Sequence, residues 1–404
     1  MRVFNRGVMS PQGSRLRLTA MIAAFLLIGG LGTWRIYLSA DSSELLPAKS
    51  VVASLPARSA LTSLPPTLSL ASLPPKSAQA SKSPSPSRSR SSSPAGSVSA
   101  NGAGTVTNMG NPSGLAWRSG VSFPNVDAYS NAAANATSAF GTWRGQPVEV
   151  AVVWPQRGSW ASFTRPSAFY TNWAKQSYTK VITLPPFPDN IGDTITGCIA
   201  GNYDSYWRTF AHTMENSHLA AEGSIIRLGW EMNEHTDWGT PSQFAACWRN
   251  IVSTVNAIAP GLLWDWNVNR GPGGYMPGAS ILNAYPGNAY VNIVGVDSYD
   301  DWPPANTSGG WQQQLNGPYG LNYWLSFAKN HGKMFSVPEW GVGEIGTWNG
   351  HSGGDDPSYI KDMYGFFAAN SANLAFESYF NGGGDSIYDP TQNPSSAAEY
   401  SRLF

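Results

Sequence analysis

From residue 106 to the C-terminus the chain repeats one rhythm, a short apolar run followed by an amphipathic stretch bounded by Gly, Pro, Asn or Asp. Eight runs have the length and composition of strands covered on both faces: 115–122, 147–154, 180–187, 224–230, 262–268, 291–299, 333–340 and 373–380. Between them, 203–219, 241–258, 319–331 and 357–370 carry helical spacing with stop and start residues at their ends. Eight βα units in about 300 residues are the size and rhythm of a (β/α)8 TIM barrel. An open doubly wound sheet also alternates in this way, but no Gly-rich phosphate fingerprint follows the first run.

The first 105 residues do not join this pattern. Residues 1–17 are basic, with Arg2, Arg6, Arg15 and Arg17, and the segment that follows has no charged side chain from Leu18 to Trp34. Positive charge ahead of an apolar run holds the N-terminus in the cytoplasm and sends the rest across the membrane. Because Leu38-Ser39-Ala40 is a poor cleavage site, residues 18–38 are expected to be an uncleaved signal anchor, a transmembrane helix with the C-terminal domain outside the cytoplasm. Residues 39–105 are Ser-, Pro- and Ala-rich and have no hydrophobic period, so an extended, disordered linker is expected there. Residues 106–404 form the barrel domain.

Composition narrows the function. Formal net charge is zero, which removes the electrostatic case for nucleic acid as a partner. No Gly-x-Ser-x-Gly elbow, P-loop, Cys cluster or HExxH helix is present, and the five His are scattered, so no metal or cofactor is expected. Seventeen Trp and seventeen Tyr must either fill the core or line a site for flat apolar faces such as those of sugar rings. The two cysteines, Cys198 and Cys247, fit one disulfide between neighbouring βα units outside the cytoplasm, or two buried thiols.

Two apolar runs end in a carboxylate beside Trp. One is Ile225-Ile226-Arg227-Leu228-Gly229-Trp230-Glu231-Met232-Asn233, at strand four; the other is Lys333-Met334-Phe335-Ser336-Val337-Pro338-Glu339-Trp340-Gly341, at strand seven. In a barrel both ends open on the same face, where the chemistry of this architecture resides. Alternation puts Arg227, Gly229 and Glu231 on one side, and Gly295, Asp297 and Tyr299 likewise on strand six. Two facing carboxylates suit glycosidic cleavage, one giving a proton to the leaving oxygen and the other attacking the anomeric carbon or activating water. An Arg and a Tyr hydroxyl beside Glu339 would favour its charged form, and Trp230 would disfavour that of Glu231 by desolvation.

These stretches, with Tyr285-Pro286-Gly287-Asn288, Val294-Gly295-Val296-Asp297-Ser298-Tyr299-Asp300 and Gly353-Gly354-Asp355-Asp356-Pro357, resemble glycoside hydrolase family 26 and its bacterial relatives, in the same order and over the whole barrel domain. The resemblance implies retaining hydrolysis of a β-linked polysaccharide, with Glu231 as acid/base, Glu339 as nucleophile and Tyr299 bonded to the nucleophile. The mannanases of that family carry His where this chain has Trp230 and commonly Gly where it has Glu234, and the aromatic pair that follows is reduced to Trp238. A different β-glycan, including an exopolysaccharide, is therefore open as the substrate. A catalytically weak barrel that binds a glycan for export or attachment is the rival reading.

Further candidates surround the pair. On strand five either Trp264 and Trp266 or Asn267 and Asn269 face the barrel, the Asn pair as sugar ligands or loop caps. Asn233, Trp230 and Trp238, and Trp302, Trp340 and Trp348 after strands six and seven, are candidate sugar contacts. His235 reads as a surface or substrate-contact residue. Gly353 to Asp356 reads as a helix cap or a calcium loop. No obligate protein partner is implied.

Overall fold

The structure, a computed structural model, describes residues 111–404 apart from Asn190, Tyr275, Pro277 and residues 345–349. The expected anchor at 18–38 and linker at 39–105 lie outside the described residues. Among the described residues no helix is long and apolar enough to cross a membrane.

Eight parallel strands close into a barrel in chain order, β1 pairing with both β2 and β8. They are β1 Ser119–Ser122, β2 Val150–Val153, β3 Thr179–Leu184, β4 Ile225–Leu228, β5 Leu263–Asn269, β6 Ile293–Tyr299, β7 Met334–Gly341 and β8 Leu374–Phe380. Each lies within or beside an expected run. Among the described residues ten helices surround them: α1 Ala132–Arg144, α2 Trp160–Thr164, α3 Ala168–Trp173, α4 Ile195–Ile199, α5 Asp204–Asn216, α6 Pro241–Asn256, α7 Gly310–Asn316, α8 Leu321–Asn330, α9 Pro357–Asn370 and α10 Pro394–Leu403. Local chemistry sets their ends. Thr240 and Gln243 form a capping box ahead of Pro241, which opens α6, and Asp356 accepts from the Ser358 N–H ahead of α9.

The core has two layers. Inside the barrel Val150, Val152, Val181, Ile225, Ile293 and Phe376 fill the N-terminal end of the strands. Between strands and helices lie fully buried aromatics, among them Trp173, Trp207, Trp248, Trp264, Trp266, Trp324 and Trp340. Strand β5 settles the question left open above. Asp265 and Asn267 point inward, whereas Trp264 and Trp266 pack outward against the helices, Trp248 lying 6.3 Å from Trp264 and Trp324 5.8 Å from Trp266.

Two departures from simple alternation shape the mouth. Strand β4 stops at Leu228, because Gly229 and Glu231 adopt left-handed conformations with φ of 59° and 43°. A Cβ at Gly229 would stand 2.8 Å from the Phe244 ring, so glycine is required for space as well as for φ. Glu231 therefore reaches its place through a turn rather than through the strand period. On β7, Gly295 pairs with Ser336 but Ser298 pairs with Trp340, so β7 carries one extra residue around Pro338. With Ser336 inward, strict alternation would send Glu339 outward, and the bulge returns it to the interior. Pro338 has no N–H to give a ladder, which is why it is tolerated there.

Candidate active site

The polar C-terminal half of the barrel interior is organised around Arg227. Its side chain is completely buried and its guanidinium binds two carboxylates, those of Glu339 and Asp297. The same Nη2 that meets Asp297 also donates to Asn267 Oδ1 at 2.9 Å. Asn267 passes the connection on. Its Oδ1 accepts from the Glu231 backbone N–H at 2.7 Å, and its Nδ2 donates to Asp297 Oδ1 at 3.0 Å. Asp297 Oδ1 also accepts from the Glu339 N–H at 3.1 Å. Glu339 has one oxygen on Arg227 and takes the Tyr299 hydroxyl on the other at 2.8 Å. Its carboxylate is thereby fixed in plane as well as in position.

Electrostatics follow from burial. Desolvation alone would lower the Arg227 pKa, but the charges of Asp297 and Glu339 outweigh it and raise the pKa, so the guanidinium stays charged. Burial pushes Asp297 well above the ordinary carboxylate range; Arg227 opposes this, and Glu339 and Glu231 add to it. One guanidinium shared between two acids accounts for both directions, since the cation gains from each while Asp297 gains only part of what burial costs it. Below them burial pushes Asp265 up to about 7, and a 2.7 Å bond from the Ser336 hydroxyl pulls the other way. Gly295 makes the room, because a Cβ there would stand 2.5 Å from Asp265 Oδ1.

The expected site residues divide on this geometry. Arg227, Tyr299, Glu339 and the Glu231 backbone belong to one hydrogen-bonded network. Asn267 belongs to it as a positioning residue, fully buried between three partners, and so is not a sugar ligand. Trp230 is half-buried, with the Arg157 guanidinium 4.9 Å above its ring. Trp302 is half exposed and stacked on His351 at 3.8 Å.

Three expected sugar contacts are corrected. Trp340 is fully buried on the outer side of β7, where its Nε1 donates to Glu377 at 2.5 Å, because neighbours of an inward Glu339 must point outward. Trp238 is buried between His235, at 3.6 Å, and Phe244, at 6.0 Å, and serves as the floor of the loop after β4. Asn233 is buried and spends its side chain on the Asn269 backbone, accepting at 2.8 Å and donating at 3.2 Å. Trp348 lies outside the described residues. His235 is half-buried against Trp238.

Alternation placed Asp297 beside Tyr299 without a role, and it holds Arg227. Asp265, on the floor of the site, was not among the residues expected, although a single acid within a buried strand needs a partner. Arg157 and its ion-pair partner Asp189, at 2.5 Å, lie on loops that no periodicity reports. Cys198 and Cys247 form a disulfide between α4 and α6. Among the described residues no group of three His, Cys, Asp or Glu side chains is placed to hold a metal ion. At the Gly353–Asp356 turn, Asp356 caps α9, and Asp355 accepts from the Ser395 and Ser396 N–H groups at the start of α10.

No protein-family model and no curated protein matches this sequence. Solved structures do. A modular endo-β-1,4-mannanase of Cellulomonas fimi, a family 26 glycoside hydrolase, superposes with a TM-score of 0.50 at 14% identity, covering 71% of this chain and 70% of that one. The catalytic domain of a Bacillus sp. JAMB-750 family 26 endo-β-1,4-mannanase gives 0.47 at 16% identity, covering 70% and 80%. A family 128 curdlan-specific exo-β-1,3-glucanase of Blastomyces gilchristii gives 0.44 at 14% identity, covering 72% and 99%. The domain has the (β/α)8 fold of the family 26 glycoside hydrolases.

Proposed function

We propose that this chain hydrolyses a β-linked polysaccharide by retaining double displacement, with Glu231 as acid/base and Glu339 as nucleophile. The observation that carries the reading is the grip on Glu339. Both of its oxygens are held inside the barrel mouth, by Arg227 and by the Tyr299 hydroxyl, and the same network reaches Glu231 through Asn267. Structural acids such as Asp297 are held by as many donors but are wholly buried, whereas Glu339 keeps a little exposure at the open end of the barrel. That combination suits a nucleophile, whose attacking oxygen must be ionised, aimed and within reach of substrate.

In the first step a Glu339 oxygen bonds to the anomeric carbon as the glycosidic C–O bond breaks, and Glu231 gives its proton to the departing oxygen. In the second, water attacks the same carbon, Glu231 takes a proton from it, and the bond to Glu339 is released. The shared guanidinium helps Glu231 to change role. While Glu339 is ionised, Arg227 faces two negative charges, and Glu231 also interacts with Arg227 and Asp297. Once Glu339 is esterified, Arg227 balances Asp297 alone, so the potential at Glu231 becomes less negative and its ionised, basic form is favoured.

Trp230, with Arg157 over its ring, precedes Glu231 where the family 26 mannanases carry His, which supports a β-glycan other than mannan, an exopolysaccharide included. The half-exposed Trp302 suits stacking on a sugar ring. The basic N-terminus ahead of an apolar run supports a membrane-anchored enzyme with its barrel outside the cytoplasm, and the Cys198–Cys247 disulfide fits an oxidising compartment.

The test is reducing-end release from mannans, mixed-linkage glucan, xylans and exopolysaccharide, with Glu231→Gln and Glu339→Ala alongside and the anomer of the first product read by NMR. Release of the retained anomer, abolished by both substitutions, supports the proposal. Binding to one polymer that survives both substitutions, with no release from any, would make the barrel a glycan-binding module for export or attachment.

A further inference from the structure

The loops after β6 and β7 bury a second group of oxygens that this chemistry does not use. Asp300, fully buried at the end of β6, accepts from the Ala305 N–H at 2.6 Å and from Gln314 Nε2 at 3.1 Å, both through Oδ1. Asp356 caps α9 with Oδ1, accepting from the Ser358 N–H at 2.9 Å and from the Ser358 hydroxyl. The remaining oxygens, Asp300 Oδ2, Asp356 Oδ2 and Gln314 Oε1, are shut away from solvent without a hydrogen-bond donor. Neither acid enters an ion pair among the described residues, and the two carboxyl groups interact directly. Burial pushes Asp300 up to about 7, with the Ala305 N–H opposing and Asp356 adding to the rise. Asp362 brings a further acid near Asp356, its own pKa raised by burial and then by Asp356.

We propose that Asp300 Oδ2, Asp356 Oδ2 and Gln314 Oε1 are ligands of a calcium ion that ties the end of β6 to the N-terminus of α9. Two like charges buried against each other are unstable without a counter-charge. A proton shared between the acids would satisfy two of the three oxygens and leave Gln314 Oε1 unmatched. A divalent cation cancels both charges and satisfies all three, with water completing its shell. Carboxylate and amide oxygens in irregular geometry suit calcium better than magnesium, which demands a near-ideal octahedron. Gly353 fits the same account. A Cβ there would stand 1.8 Å from Asp300 Oδ2, so only glycine lets the loop close over this oxygen.

The test uses the full chain, stripped with EGTA and then titrated with calcium or magnesium at pH 7, reading Tm and, by equilibrium dialysis, bound calcium. Calcium at a hundredfold excess over Kd should raise Tm by about 5 °C or more, with magnesium weaker. Asp300→Asn and Asp356→Asn should each abolish both the shift and the binding, and Asn at 356 still caps the helix. A stripped protein that binds no calcium and whose Tm is unmoved by it, while either Asn variant melts at or above the parent, would overturn the proposal in favour of a shared proton.

Discussion

Replacing Arg227 with Met puts the centre of the site under the strongest test. The side chain is completely buried and makes charge-assisted bonds to Asp297 and Glu339 and a third bond to Asn267. Methionine fills most of the volume, so the loss is electrostatic rather than a cavity. Two carboxylates are then left together in the interior without their cation. Removing one partner of a buried ion pair costs about 3–5 kcal/mol, because the surviving charge remains desolvated. That is a large share of the total stability of a domain, roughly 5–15 kcal/mol. The lost charge can be recovered from the other side. Arg227→Met with Asp297→Asn leaves one acid in place of two, and should regain about half of the loss. The assay is urea denaturation of the parent, both single variants and the double variant at pH 7, read as a double-mutant cycle. Arg227→Met should also lose turnover entirely, since Glu339 would be left without its cation. A loss below about 1 kcal/mol for Arg227→Met, or strict additivity in the cycle, would refute the shared-guanidinium account.

Other outcomes follow from the same contacts. Burial holds Glu377 at about 7 against an ordinary value of 4.5, so its contribution to stability is complete below about pH 4.5 and is lost as pH rises through 7. The difference corresponds to about 3 kcal/mol, and Glu377→Gln, which imitates the protonated acid, should flatten that part of the stability–pH curve in denaturant titrations. Reducing the Cys198–Cys247 bridge, which spans 49 residues, should cost about 4 kcal/mol by loop entropy and lower Tm in the presence of a reductant. Trp340→Ala should cost about 3–5 kcal/mol of stability as a core truncation. Trp302→Ala should leave the melting curve nearly unchanged and raise KM for the polysaccharide; equal effects of the two on stability would contradict their different burial.

The sequence by itself determined the barrel and the place of its site. Eight buried-strand runs alternating with amphipathic stretches admit few architectures, and the acids ending runs four and seven, Glu231 and Glu339, marked the mouth because their apolar surroundings made polar interruptions conspicuous. Periodicity also put Asp297 and Tyr299 on one face of β6. Only the tertiary structure decided which atoms meet. Arg227 and Glu339 are 112 residues apart, and their contact depends on an extra residue in β7 that reverses the alternation after Ser336. Trp340, Trp238 and Asn233 beside the acids read as ligand contacts, yet each is buried, because a residue next to an inward acid points outward or pins the loop that presents it. Local pattern reports the face on which a side chain lies. Register, bulges and left-handed turns fix what stands opposite it, and these follow from packing among segments distant in the chain.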